Sequence, residues 1–474
     1  MFDQTMPDQT VPDQSMSDQS MSDRITVPFS GPGAGTAPLS WGQKAILREV
    51  RDTGWTHNSS GAHEVPRGTT VEAVAAGVGA VMSRYPALRL RLGTDEAGNP
   101  CQVVFGSGEI DLEVVNLADD SHPADVGKFV HDLCYAWLVT PFDPYRQWSV
   151  RMAVVRHRDV TRYRVLTIGH LVADGAAVTR IVADLRAGGA ARRRADPRTP
   201  GPLELGRAEQ TPEAKRVSGR AMRHWEARLR AIPPQTFGAL PTRPAGRRYR
   251  YGHLDSPATH LAVLAIAERT RTDTARVLLA VIATAIGRAT GVHPLTTKVV
   301  VSNRFRPGLA GTVATLCQDS VLTVELDGTV DDVVARVRGA STAAWLQGYY
   351  DPDQLAELHA RLDRDRGHPA RVTCRINDRR AARPAAGVVL GTEVTAEGLR
   401  AKAEETAFVW GGELDTAVDQ VFIAIEDRPG TVFLQGVFDL TCLTEGQAER
   451  VLRGVEEVAV AAALDPAAPA RVSS

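Results

Sequence analysis

The sequence predicts an α+β protein of two lobes, and three observations support this. At 474 residues the chain is too long for one ordinary core, since domains hold roughly 100 to 200 residues each. Segments of helical period and segments of strand period alternate in the first half, and the second half repeats the same mixture. Between Arg186 and Pro212 the text becomes "RAGGAARRRADPRTPGPLELGRAEQTP", whose Gly, Pro and Arg mark a linker or exposed crossover. The expected division is therefore an N-terminal lobe over 25–190, a linker or crossover with a helix over 191–235, and a C-terminal lobe over 236–474.

Residues 1–24, "MFDQTMPDQTVPDQSMSDQSMSDR", form a pentapeptide repeat too polar to bury itself and are expected to be a disordered tail. From Ile25 the pattern turns globular. "PLSWGQKAILREV" enters a helix, and "TTVEAVAAGVGAVMSRYPAL" sets Val71, Val74, Ala75, Val78, Val81 and Met82 on one helical face. "LRLRL" follows as a strand, "VGKFVHDLCYAWLVTPFDP" as a helix stopped by Pro141, and "WSVRMAVVRH" and "YRVLTIGH" as strands. The second half adds the helix "TDTARVLLAVIATAIGRATG", the strands "TTKVVVSN" and "SVLTVEL" and the helix "TVDDVVARVRGASTAAWL". Its last part is "QVFIAIEDRPGTVFLQGVFDL", two strands joined by a turn at Asp427, Arg428, Pro429 and Gly430, before the closing helix "GQAERVLRGVEEVAVAAAL".

Composition excludes several function classes. Lys+Arg 55 against Asp+Glu 56 gives a formal charge of −1, so no global field favours nucleic acid or an anionic membrane. The run Arg192, Arg193, Arg194 sits among Gly, Ala and Pro and reads as a solvated loop. The five cysteines Cys101, Cys134, Cys317, Cys374 and Cys442 form no CxxC pair, which argues against a zinc site or a disulfide framework and fits a reducing cytoplasm. No apolar run approaches the roughly 18 to 20 residues that span a bilayer, and no signal pattern opens the chain. "GPGAGT" near Gly31 lacks the preceding strand that a phosphate loop needs.

Chemistry concentrates in "VLTIGHLVADGAAVTRIVADL", residues 165–185. An apolar strand runs into His170, which titrates near neutral pH and suits acid/base work. Asp174 stands just ahead of a helix whose face is Ala177, Val178, Ile181, Val182 and Leu185, so its carboxylate caps that helix or pairs with a buried cation. Gly175 permits a backbone conformation closed to most residues. On these residues alone, a strand-ending histidine beside a simple cap is the favoured description, because H-x-x-x-D-G is short.

Other segments show what the stretch resembles. His170, Asp174 and Gly175 match the H-H-x-x-x-D-G core of the condensation domains of nonribosomal peptide synthetases, members of the chloramphenicol acetyltransferase-like superfamily. "SWGQKAIL" matches that family's first motif through Ser40 and Gln43, and "SRYPALRLRL" its second through Arg84, Leu88 and Arg89. "TPFDPYRQWSVRMAVV", "MRHWEARLRAIPP" and "VVVSNRFRPG" resemble further family segments, in family order, from about Pro38 to Pro466. The chain departs from the pattern at three places. Gly169 stands where the first core histidine would be, Tyr85 replaces the second motif's histidine, and "VATLCQDSVL" offers Gln318 and Asp319 where the late motif has Asn and Thr.

The resemblance implies two chloramphenicol-acetyltransferase-like lobes arranged as a V with a central tunnel, and His170 at its midpoint as the catalytic residue. It implies that Asp174 pairs with an arginine, for which Arg304 in "SNRFRPG" is the candidate, and that Gly175 shapes the loop. Ser40, Gln43, Gly169 and Gln318 are its tunnel or motif candidates. No adenylation, carrier or thioesterase pattern is present, so the chain reads as a freestanding enzyme of natural-product biosynthesis. It would join a carrier-bound acyl thioester to an amine or hydroxyl acceptor, forming an amide or an ester. The implied partners are an acyl or peptidyl carrier protein, presenting its phosphopantetheine arm in trans, and a small amine or alcohol. No metal and no tightly bound cofactor are expected. Two other functions fit the same motifs: an acyl-CoA dependent acyltransferase, and a catalytically silent domain that recruits carrier proteins or tailoring enzymes.

Overall fold

The structure is a computed structural model that describes residues 20–187, 199–240, 246–380 and 394–471. Its chain falls into two compact units, Met1–Arg216 with Ser302–Gln318, and Val217–Val301 with Asp319–Ser474.

The first unit contains β1 (Ser20–Ser30), β2 (Gly35–Pro38), α1 (Trp41–Thr53), β3 (Asn58–Glu64), α2 (Val71–Arg84), β4 (Leu90–Thr94), β5 (Pro100–Val104), β6 (Ser107–Leu117), α3 (Pro123–Val139), β7 (Val150–His157), β8 (Val160–Gly169), α4 (Gly175–Arg186) and α5 (Pro202–Ala208). Five strands form one sheet in the order β1-β6-β7-β8-β3, and β2-β5-β4 form a small second one. Side chains of a strand alternate between faces, and here both faces are apolar. Met152, Val154, Leu166 and Ile168 join α2 and α4 in one core. The intervening Ala153, Val155 and Val165 pack with Val126 and Val130 of α3. The sheet is therefore covered on both sides, and β8 runs through its interior to deliver His170 at its end.

The second unit continues with α6 (Pro212–Ala231, which begins in the first unit), β9 (Tyr249–Ser256), α7 (Pro257–Thr270), α8 (Thr274–Thr290), β10 (Leu295–Val301), β11 (Gln318–Val324), α9 (Val330–Leu346), α10 (Pro352–Arg366), β12 (Cys374–Asp378), α11 (Ala396–Glu404), β13 (Ala407–Leu414), β14 (Val421–Glu426), β15 (Val432–Asp439) and α12 (Glu445–Leu464). Its seven strands run β11-β10-β12-β14-β15-β9-β13, with β10, β12 and β14 parallel and β14, β15, β9 and β13 antiparallel. Leu322 and Val324 join the main core with α8, α9 and α12. Val321, the residue before Leu322, turns to a smaller cluster with Trp225 of α6 and Leu358 of α10. The turn expected between the last two strands is present, with Gly430 at φ 72°.

Three sequence expectations are corrected. The tail was expected to reach residue 24, yet β1 begins at Ser20 and pairs with β6 from Ser20↔Leu117 to Ser30↔Ser107. A backbone ladder needs no apolar side chain to extend it. Residues 1–19 lie outside the described ones, as do Arg192, Arg193 and Arg194. β1 also supplies a strand before "GPGAGT", against the expectation of none; the element that follows is the strand β2, where a phosphate loop needs a helix. Last, neither unit is continuous in sequence. α5 packs with the first unit through Leu203, and Leu205 clusters with Leu309, Ala314 and Leu316, which draws Ser302–Gln318 into that unit.

Candidate active site

His170 is half-buried and its backbone is held at both ends. Its N–H donates to the carbonyl of His57 at 2.9 Å, and its carbonyl accepts the hydroxyl of Thr315. His57 itself lies in the left-handed region, at φ 46°, a conformation costly for a residue with a Cβ. The imidazole Nδ1 lies 3.4 Å from Ser59 Oγ, and the ring of His57 is centred 6.3 Å from that of His170. His57 in turn pairs with Glu49 of α1 at 3.5 Å.

Asp174 performs both roles the sequence left open. As the N-cap of α4 it accepts the Ala177 N–H at 3.0 Å. It also forms an ion pair with Arg304 at 2.7 Å and accepts the amides of Leu316 and Cys317 at 3.0 and 3.2 Å. The carboxylate is 2% exposed. With four donors on its two oxygens its acceptor capacity is largely used, so it holds the loop and is in no position to take up a proton from a reactant. Arg304 is fixed beyond the pair, donating to the carbonyls of Thr312 and Ala314 at 3.2 and 3.4 Å. The segment Ser302–Gln318 thus wraps the carboxylate with a cation and two amides and reaches the histidine backbone with Thr315.

The remaining expected residues take other places. Gly175 is the exposed first residue of α4, outside the left-handed region, and a Cβ there would meet nothing within 4 Å. The expected conformational need is therefore absent; a helical first position suits any residue, and the glycine leaves unfilled volume. Ser40 and Gln43 are 2% and 3% exposed and cap α1 reciprocally, with the Gln43 amide on Ser40 Oγ and the Ser40 amide on Gln43 Oε1. They are internal and line no open surface. The motif meets the site through Gly42 between them, where a Cβ would stand 2.0 Å from the Thr315 carbonyl oxygen. Gln318 opens β11 and is 4% exposed. At Gly169 a Cβ would lie 3.2 Å from the Phe142 ring and 3.3 Å from Ser149 Cβ, so Phe142 occupies the space into which a histidine there would project.

Tyr85, the other departure, donates to Asp184 of α4, which Arg84 also pairs at 3.1 Å. Burial and then the Asp184 carboxylate push the Tyr85 hydroxyl up to about 12. Arg89 is 0% exposed and donates to the carbonyls of Met82, Phe105 and Pro32. The second motif thus fixes α2 and α4 to their surroundings.

Sequence reasoning missed Ser59, His57, Thr315 and Gly42. Ser59 lies in "NSSGAHE", which carries no strand signature. Other chemistries find little support. All five cysteines are free, and burial pushes the thiols of Cys374 and Cys442 up to about 12, so neither is a nucleophile near neutral pH. Among the described residues the one cluster of three candidate metal ligands is His293, Glu325 and Asp327 in the second unit. There His293 Nδ1 accepts the Leu326 amide, which places the ring proton on Nε2, facing the two carboxylates. No described helix is long and apolar enough to cross a membrane.

Known proteins match this architecture. A family model described as Condensation domain covers residues 34–368. The chain is 25% identical over 419 residues to CymA, a probable non-canonical nonribosomal peptide synthetase of Salinispora arenicola, across 82% of this chain and 5% of the relative. It therefore spans a small fraction of that relative's length. Among solved structures, one on condensation domain-mediated chain release from the enacyloxin polyketide synthase matches with a TM-score of 0.69 at 18% identity, covering 94% of this chain and 85% of that one. The condensation domain of the Monacolin K polyketide synthase MokA matches with a TM-score of 0.70 at 12% identity, covering 92% and 99%. At these identities the likeness is one of fold.

Proposed function

Since the chain belongs to the condensation-domain family, we propose that it joins an acyl thioester, carried on the phosphopantetheine arm of a carrier protein, to an amine or hydroxyl acceptor. The observation that carries this reading is the division of labour in the loop. Asp174 is turned inward and saturated, while His170, four residues earlier, is held by its backbone with its ring half-buried.

The acceptor's nitrogen or oxygen attacks the thioester carbonyl, and a carbon–nitrogen or carbon–oxygen bond forms as the carbon–sulfur bond breaks. One proton leaves the nucleophile and one reaches the departing sulfur. His170 Nε2, the ring nitrogen away from Ser59, receives the first and returns the second. Alignment of the two reactants supplies a large share of the rate gain, because it turns a bimolecular encounter into an intramolecular one. The Asp174–Arg304 pair supports this by fixing the loop on which the histidine stands.

The test is intact-protein mass spectrometry of an acyl-loaded carrier protein with candidate amines and alcohols. The chain is expected to unload the carrier and yield an amide or ester, and His170→Ala, folded by circular dichroism, is expected to lower the rate about 100-fold or more. Transfer from a coenzyme A thioester but not from the carrier would identify the soluble-donor reading. Full activity in His170→Ala would overturn the assignment of His170.

A further inference from the structure

We propose that Ser59 is the positioning residue of the His170 imidazole: its hydroxyl oxygen accepts the proton held on Nδ1, so that Nε2 carries the lone pair. The inference rests on the reading of His170 as the proton-handling group. A neutral imidazole carries one proton on one of two nitrogens, and the partner of one nitrogen decides which. A base acting through Nε2 needs Nδ1 protonated.

The position of Ser59 follows from register. It lies opposite Ile168 in the antiparallel β3–β8 pair, and side chains alternate along a strand. Ile168 and the residue two further on, His170, share a parity, so Ser59 stands on the face to which the imidazole belongs. Its hydroxyl is 3.4 Å from Nδ1 and the residue is 0% exposed. Neighbours on both sides prevent it from drifting. Asn58 donates to the carbonyls of Trp137, Leu138 and Thr140 at the end of α3, and Ser60 bonds Thr167 at 2.7 Å on the other face. The 3.4 Å separation lies at the long end of hydrogen bonding, and such a contact tightens when the ring gains charge.

The ring of His57, paired with Glu49 of α1, stands near the imidazole, and Asp174 of the same loop is paired with Arg304 of the crossing segment. Neither changes when Ser59 does. An acceptor on Nδ1 stabilises the imidazolium, so removing it makes the ring easier to deprotonate.

The experiment is long-range proton–nitrogen correlation on the full chain with labelled histidine, the His170 signal being identified among 12 histidines by its loss in His170→Gln. The wild type is expected to show Nδ1 protonated and Nε2 bare at neutral pH. Ser59→Ala is expected to mix the two tautomers and move the His170 titration to lower pH, with thermal unfolding unchanged, and Ser59→Thr to restore the wild-type pattern. A bare Nδ1 in the wild type, or a His170 signal unaltered in Ser59→Ala, overturns the role of Ser59. Should Ser59→Ala fail to fold, the wild-type and Ser59→Thr spectra still decide. Acyl transfer by His170→Ala, in contrast, overturns the catalytic reading whatever the tautomer.

Discussion

Asp174 shows how one side chain fixes a loop. It is an ionised group almost fully removed from water, and its stability depends on four donors, one of them a guanidinium. Removing one member of such a pair leaves the other charge buried without compensation, which costs about 3 kcal/mol or more. Asp174→Asn and Arg304→Ala are each expected to lower stability to urea by that amount, with the double variant losing at least ~1 kcal/mol less than the sum. Additive losses would mean that the two side chains act independently. The sequence alone allowed Asp174 to be cap or ion-pair partner; it is both, because Oδ1 faces Ala177 while Oδ2 faces Arg304. Gly175 was legible as special and misread in kind. It is an exposed helical residue with room for a Cβ, so neither its backbone nor its surroundings require a glycine. Ser59 was not legible, since a serine beside two small residues says nothing until a partner strand sets it under a histidine.

At the scale of elements, the strand that carries Ser59 is the least visible in the sequence. β3 reads "NSSGAHE", with no apolar alternation, and exists because β8 offers it a backbone ladder over seven residues. The helices were legible for the opposite reason: α2 and α4 write their buried faces in spacings of three and four, and α8 is a long apolar run buried on every side from Val277 to Ile286. β3 is joined to the end of α4 by an unusual contact, in which Arg186 donates to His63 Nδ1 at 2.8 Å. Burial is the main cause that lowers the His63 pKa from 6.5 to about 3, and the charges of Arg186 and Arg164 add to it. The folded protein therefore keeps this ring neutral where the unfolded chain protonates it. Between pH 6.5 and about 3 the unfolded state binds the extra proton, so stability is full above pH 6.5 and falls as the solution is acidified. The loss from this one group reaches about 1.4 kcal/mol per pH unit inside that window. His63→Gln keeps an acceptor for Arg186 without a titrating ring, and its stability is expected to fall less steeply with acid. Equal slopes in urea unfolding at pH 7, 6 and 5 would contradict the assignment.

At the scale of the molecule, α+β mixing in both halves was plain from periodicity, and the family from motifs in order, but the exchange of a segment between halves was not. Ser302–Gln318 lies between β10 and β11 in the chain and yet packs with the first unit. Local patterns say what a segment becomes and are silent on what it packs against. This segment contributes the charge on Arg304, two amides for Asp174, the Thr315 hydroxyl for His170, and Leu309, Ala314 and Leu316 to cover Leu205. A fragment ending at Arg216 keeps every strand of the five-stranded sheet but loses all of these. It would hold an ionised carboxylate with no cation and an uncovered apolar patch, both of which disfavour a compact state. Calorimetry of that fragment is expected to show no cooperative transition, while the same fragment with residues 302–318 attached through a flexible linker is expected to regain one. A bare fragment that melts as sharply as the linked one would show that the crossing segment serves the site alone. The expected outcome would show instead that the segment completing the site also completes the fold of the unit that carries His170.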